Sequence, residues 1–224
     1  MFRFLTSGES HGISLNVIID GVPAGISIDM EYVNSWLAKR QVGYGRGGRM
    51  KIETDKAFIK SGVRLGKTTG APIAIEIINR DFENWKIPMS SSSVEMTDEN
   101  VEKIIAKEIT NVRPGHADFA GAIKYNQDDV RNILERSSAR ETAARVAVGA
   151  IAKSILKEFR IEGFSHVLQI GSVKVDKNVI PNEKIIEGND LRVADLKTYD
   201  LMKAEIDKAK KEGDTLGGKV EVIY

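Results

Sequence analysis

The sequence predicts an α+β protein. Short segments that alternate apolar and polar residues, as half-buried strands do, are interspersed with longer segments of helical period. No Gly-x-Gly-x-x-Gly follows any strand-like segment, so the alternation lacks the dinucleotide-binding fingerprint. One helix-like stretch, from about residue 136, is so rich in alanine that it belongs inside the molecule rather than on its surface. With 224 residues, 42% of them hydrophobic, the chain can bury a substantial core, and residues 1–224 are expected to form a single layered domain.

Residues 2–5 alternate and predict a short strand, which leads into a loop where Gly8 and Gly12 bracket Glu9, Ser10 and His11. A second strand is expected over 15–19, turned by Gly21 and Pro23. Residues 27–41 predict a helix with Asp29 as N-cap and with Val33, Trp36, Leu37 and Arg40 on one face. It delivers Arg40 to a glycine-rich loop carrying Arg46 and Arg49. A strand pair is expected over 51–63, and a longer strand over 70–79 with Ile73, Ile75 and Ile77 facing one way. Residues 80–96 look like a polar surface loop, after which Thr97 caps a helix to residue 107 with Val101, Ile104 and Ile105 inward. Pro114 and Gly115 break the chain before a short helix over 117–125.

The alanine-rich helix is expected over 136–159. Ser137 or Ser138 serves as N-cap, Glu141 stands at the capping-box distance from Ser138, and Gly149 joins the alanines in allowing close approach. Residues 163–175 predict a strand with Val167 and Ile170 buried, 176–196 are irregular, 201–211 form a helix ended by Gly213, and 217–224 form a last strand.

Composition narrows the functional classes. The formal net charge is +1, so no global basic field draws nucleic acid or an anionic membrane. There is no cysteine, which excludes disulfides and thiolate chemistry. His11, His116 and His166 show no metal-ligand spacing, and no metal site is expected. The opening MFRFLTSGESHG has no signal-peptide apolar region, and no apolar run approaches membrane-spanning length, so a cytoplasmic protein is expected.

Four stretches could carry chemistry. His11, between two glycines and beside Ser10, is either a solvated loop histidine or a proton donor working near neutral pH. His116 follows the rigid Pro-Gly break, and Asp118 two residues on either orients its ring or caps the next helix. Arg40, Arg46 and Arg49 admit three readings: a solvated loop, a short Arg-Gly segment for single-stranded nucleic acid, or a clamp for phosphate and carboxylate. Arg136, Ser137 and Ser138 at a helix start are either a plain cap or an anion site formed by hydroxyls, guanidinium and free backbone N–H groups, with Arg140 adding charge.

In order and approximate spacing, Gly8-Glu9-Ser10-His11-Gly12, the stretch from Arg40 to Met50, Arg113-Pro114-Gly115-His116-Ala117-Asp118 and the segment from Arg136 resemble chorismate synthases over essentially the whole chain. The resemblance implies a β-α-β sandwich, with helices layered between sheets, assembled as a homotetramer. It implies a carbon–oxygen lyase acting on phosphates. The reaction is 1,4-anti elimination of phosphate from 5-enolpyruvylshikimate 3-phosphate to give chorismate, the last step of the shikimate pathway on the way to aromatic amino acids. Reduced FMN is needed without net redox change, and NADPH is needed where the protein reduces its own flavin. The same resemblance makes His11 the donor to the departing phosphate, Ser10 an aid to the flavin–substrate proton network, and His116 the partner of reduced flavin. It makes Arg40, Arg46 and Arg49 the substrate- or NADP-binding set, and Arg136, Ser137 and Ser138 the FMN contacts.

The family continues well beyond a segment like residues 217–222 (GGKVEV), carrying further flavin-binding residues there. The expectation is therefore a domain incomplete at its C-terminus, folded at least partly and weak or inactive alone. The alternatives are a non-catalytic module binding flavin or phosphorylated metabolites, and a nucleic-acid-interacting domain using the Arg-Gly loop.

Overall fold

The computed structural model describes residues 1–45 and 55–224, and the described chain falls into two compact units. The first holds residues 1–38 and 55–155; the second holds 39–45 and 156–224.

The first unit begins with strands β1 (Arg3–Gly8) and β2 (Ser14–Asp20), followed by helix α1 (Met30–Gln41) and strands β3 (Ala57–Ser61), β4 (Val63–Arg64), β5 (Lys67–Thr68) and β6 (Ile73–Ile78). Four of the strands make an antiparallel sheet in the order β1-β2-β6-β3. Register stacks Leu15 on Ile77, Val17 on Ile75 and Ile19 on Ile73, so the period-2 alternation puts one apolar face inward. The expected strand over 2–5 is longer because every residue from Arg3 to Gly8 finds a partner on β2. At its end Gly8 has φ +93°, and a Cβ there would stand 2.2 Å from the Ser14 carbonyl oxygen. Helix α1 starts at Met30 rather than at residue 27. Ser27 is held in a bridge with Lys67, while the Asp29 carboxylate accepts the Glu31 N–H at 2.8 Å and begins the helix there.

Helices α2 (Asp98–Ile105), α3 (Asp118–Tyr125) and α4 (Arg131–Ser137) follow. Thr97 caps α2 as expected, accepting the Asn100 N–H. Val101 and Ile104 are half-buried, but Ile105 is 62% exposed, because it lies a further 100° or so around the helix from Ile104. The stretch 80–96 is more than a polar loop: Phe82–Trp85 is a turn of 3-10 helix, stitched by Asp81, which accepts from the Asn84 amide and the Trp85 indole.

The single helix expected over 136–159 is divided. Helix α4 ends at Ser137, Ser138 is extended (ψ 144°), a 3-10 turn spans Ala139–Glu141, and α5 (Thr142–Glu158) begins after it. The Ser138 hydroxyl accepts the Arg140 N–H, so it caps the 3-10 turn; the Glu141 carboxylate is taken by Thr6 and Arg145. Ala143, Ala144, Ala147, Ala150 and Ile151 of α5 share the buried core with Val33 and Leu37 of α1 and the apolar sheet face. Gly149 is exposed and takes no part in that packing.

The second unit contains β7 (Phe164–Ile170), β8 (Val173–Lys174), α6 (Glu183–Glu187), α7 (Leu196–Glu212) and β9 (Gly218–Ile223), its antiparallel sheet ordered β8-β7-β9. The strand expected over 163–175 is a hairpin, and its Val167 and Ile170 are half-buried against a core of Leu191, Val193 and Met202. Within 176–196, α6 is capped by Asn182 and buries Ile186. Helix α7 starts five residues before expectation because Asp195 caps it, accepting the Lys197 N–H; Gly213 ends it in the left-handed region at φ +71°. Among the described residues, no helix is long and apolar enough to cross a membrane.

Candidate functional site

Helix α4 organises the first unit's polar centre. Arg131 and Glu135 share one helix face at the i, i+4 spacing, and Ser138 follows at the helix's C-cap. All three reach the Ser10-His11 loop or its partners. Glu135 is 1% exposed, and its Oε1 lies 2.7 Å from His11 Nδ1 and accepts from Arg131 Nη1 at 2.9 Å. Its Oε2 accepts the His11 backbone N–H at 2.6 Å, and its backbone carbonyl accepts the Ser10 N–H at 3.1 Å. Burial opposes ionisation of Glu135, but the bonds from the His11 side chain and backbone, with Arg131 behind them, outweigh it and hold the carboxyl below its ordinary value.

The His11 ring also stacks on Trp85, centroid to centroid at 3.8 Å. Lys107 and Arg131 lie over the same indole at 4.3 and 5.0 Å, and Arg131 Nε donates to the Lys107 carbonyl. Ser10 is 1% exposed and its Oγ accepts from Ser138 Oγ at 3.0 Å. The buried Arg140 donates to the Ser10 carbonyl at 3.2 Å and to Asp55 at 2.8 Å. Arg140 thus faces a carboxylate in the interior, which corrects the expectation that its charge serves an anion at the helix start.

The opposite face of α4 behaves differently. Arg136 donates to the Gly8 carbonyl at 2.8 Å and to the Thr6 hydroxyl at 3.1 Å, and the Ser137 hydroxyl donates to the Ile133 carbonyl of its own helix. Both residues line a cavity of about 750 Å³ walled by Ala117, Ala120, Gly121 and Ile133, with Lys124 and Tyr125 at its margin. Its volume falls in the range of small-molecule sites.

His116 precedes α3. Its Nδ1 pairs with Asp118 Oδ1, and the Arg113 guanidinium reaches Asp118 Oδ2 at 2.9 Å and stands 3.0 Å from both ring nitrogens. Asp118 therefore orients the ring, one of the two roles the sequence left open. Its carboxyl is held at about 2, chiefly by the Arg113 bond, with His116 adding to it against the desolvation.

Of the residues expected to act, the structure brings Ser10, His11 and Ser138 together and sets Arg136 and Ser137 on the cavity. Arg40 lies half-buried in the last turn of α1, while Arg46 and Arg49 lie outside the described residues. His166 is buried in β7 and bonded to Glu221 at 2.9 Å. Sequence reasoning missed Arg131, Glu135 and Trp85. The Arg131–Glu135 spacing was a readable ion-pair signal; nothing local marked Trp85 as a partner of a residue 74 positions earlier.

A buried carboxylate behind a histidine, ringed by cations and hydroxyls, is an arrangement suited to acid–base work on an anionic small molecule. The family model for chorismate synthase matches residues 2–224. The chain is 51% identical to the chorismate synthase of Gloeobacter violaceus over 234 residues, covering 99% of this chain and 59% of that one. It is 51% identical to that of Carboxydothermus hydrogenoformans over 226 residues, covering 100% and 57%. A crystal structure of chorismate synthase superimposes with a TM-score of 0.74 at 40% identity, covering 99% of this chain and 57% of that one. The chain belongs to the chorismate synthase family, and it spans less than three-fifths of the length of the relatives it matches.

Proposed function

We propose that the chain supplies the Ser10–His11 acid site of a chorismate synthase, which eliminates phosphate from 5-enolpyruvylshikimate 3-phosphate to give chorismate. The observation that carries the reading is the buried Glu135 carboxylate holding His11 within one of the motifs characteristic of this family. With the Nδ1 hydrogen donated to Glu135, the proton that can be transferred is the second one, carried on Nε2 of the imidazolium form; it passes to the departing phosphate oxygen and leaves the neutral ring with its hydrogen on Nδ1. Arg131 and Lys107 bring positive charge to the same locality, where negative charge grows as phosphate leaves. One preorganised donor in such a site is worth about 2.7–4 kcal/mol. Ser10 and Ser138, bonded to each other, add hydroxyls that relay or hold a proton beside His11.

The residues on the far side of α4 fit a flavin. The cavity, about 750 Å³ with alanine, glycine and isoleucine in its walls, has room for a small-molecule ring, and Lys124 and Arg136 bring positive charge to it for an anionic tail. Reduced FMN, when bound, supplies an electron-rich ring that lends and recovers charge without net redox change. Arg136 and Ser137 on this side and Ser138, bonded to Ser10, are the residues assigned to hold it, His116, whose ring Asp118 orients, is assigned to the reduced flavin, and Arg40, Arg46 and Arg49 are assigned to the anionic substrate or to NADPH. The reading carries with it the layered sandwich, the homotetramer and the cytoplasmic location typical of the family. Because the chain covers under three-fifths of its relatives, turnover is expected to need residues beyond those matched.

The test is anaerobic conversion of 5-enolpyruvylshikimate 3-phosphate with reduced FMN, following chorismate and phosphate together. It is run on the 224-residue chain and on a protein extended to the relatives' length. The longer protein is expected to release both products in equal amounts and the chain alone to release little. A longer protein that binds FMN tightly yet releases neither product would replace this reading with a non-catalytic flavin- or phosphometabolite-binding module.

A further inference from the structure

The geometry points to Glu135 as the positioning residue of His11: its carboxylate fixes the imidazole's place and keeps hydrogen on Nδ1, so that Nε2 is the ring nitrogen assigned to proton transfer. The catalytic part of this inference rests on the proposed reaction. The positioning part stands on the structure alone.

Three donors converge on one buried carboxylate: the His11 ring, the His11 backbone N–H and Arg131. An ionised carboxylate only accepts hydrogen bonds, so the ring nitrogen facing it must carry the hydrogen. Glu135 is ionised at neutral pH, since its surroundings keep it below its ordinary value despite burial. The two-point hold on residue 11, through side chain and backbone at 2.7 and 2.6 Å, fixes the ring's position as well as its tautomer. The Ser10 N–H bonded to the Glu135 carbonyl adds a third tie to the same loop, and the Trp85 ring packs against the imidazole at an interplanar angle of 33°. Arg131 balances the carboxylate's charge without displacing His11, because its guanidinium shares Oε1 and is itself held by the Lys107 carbonyl. The interaction spans 124 positions of sequence, so it is a product of the fold rather than of either motif.

Long-range proton–nitrogen spectra of the 224-residue chain, labelled in histidine with nitrogen-15, test the positioning directly; the signals that vanish in His11→Gln identify residue 11. His11 is expected to carry hydrogen on Nδ1 in the parent chain, as the Nδ1–H tautomer when the ring is neutral, and finding a bare Nδ1 with hydrogen on Nε2 only overturns the proposal without any variant. In Glu135→Gln the amide can either accept or donate, so the Nδ1–H fraction is expected to fall, and Glu135→Asp is expected to restore part of it. An unchanged tautomer in a folded Glu135→Gln chain also overturns the proposal.

The catalytic part is read in the protein of the relatives' length. There Glu135→Gln is expected to lower kcat about 100-fold with KM changed by less than about threefold, the pattern of an interaction made in the transition state. A KM effect alone would reduce Glu135 to a structural role and overturn the catalytic part. A lowered Nδ1–H fraction with unchanged kcat would support positioning and overturn the acid role given to His11.

Discussion

Asp118 shows how one buried carboxylate sets the behaviour of its neighbours. It draws Arg113 and His116 to its two oxygens, and its carboxyl sits at about 2 against an ordinary 3.8. Because the folded value lies below the unfolded one, its stabilisation is fully present above the unfolded value and is lost as pH falls through about 2. Asp118→Asn is therefore expected to destabilise the chain by about 1–3 kcal/mol at neutral pH. It should also flatten the acid limb of a denaturation series, whereas the parent should keep losing stability across that window. At the other histidine, His11→Ala in a protein of the relatives' length is expected to lower kcat by about 100- to 10,000-fold with little change in substrate affinity. Single-turnover kinetics would check it, and a loss confined to affinity would remove the acid role. The two histidines were legible in the sequence because Gly8 and Gly12 bracket His11 and the Pro114-Gly115 break precedes His116. Glu135, Arg131 and Trp85 were not, because what makes them partners of His11 is tertiary contact across 74 to 124 positions.

Among the elements, α5 separates two kinds of small residue that look alike in the sequence. Ala147 is completely buried in the core, while Gly149 faces outward, with nothing within 4 Å of where its Cβ would stand. Gly149→Ala is expected to stabilise the chain by about 0.5–1 kcal/mol through helix propensity and a less free unfolded state. Ala147→Leu is expected to cost about 1–3 kcal/mol by overpacking. Urea midpoints for the two variants should move in opposite directions. Helix and strand types were largely legible, since apolar period and caps such as Thr97 and Asp29 are local signals. The break at Ser138 was not. The alanines that follow it favour helix and no glycine or proline marks the break, and a capping hydroxyl that also binds Ser10 gives the serine a second, distant reason to leave the helix.

At the scale of the molecule, the α+β class was readable from the alternation of periods, whereas the separation into two cores was not, because composition changes little along the chain. The first core is built on the sheet face of Leu15, Val17, Ile73, Ile75 and Ile77, and the second on Leu191, Val193 and Met202, with no residue in common. Ile75→Val is expected to cost about 0.5–1.5 kcal/mol and Met202→Ala about 2–5 kcal/mol. Their double variant should equal the sum within about 0.5 kcal/mol. A larger deviation in the urea series would mean that the two cores are energetically coupled.

The end of β1 has a consequence for how freely this chain can vary. At Gly8 a single added carbon would collide with the Ser14 carbonyl, and the Gly8 carbonyl itself receives Arg136. In a library carrying every codon at position 8, selected for soluble expression of the chain, glycine alone should be recovered. A neighbouring exposed position such as Leu5 should accept most substitutions.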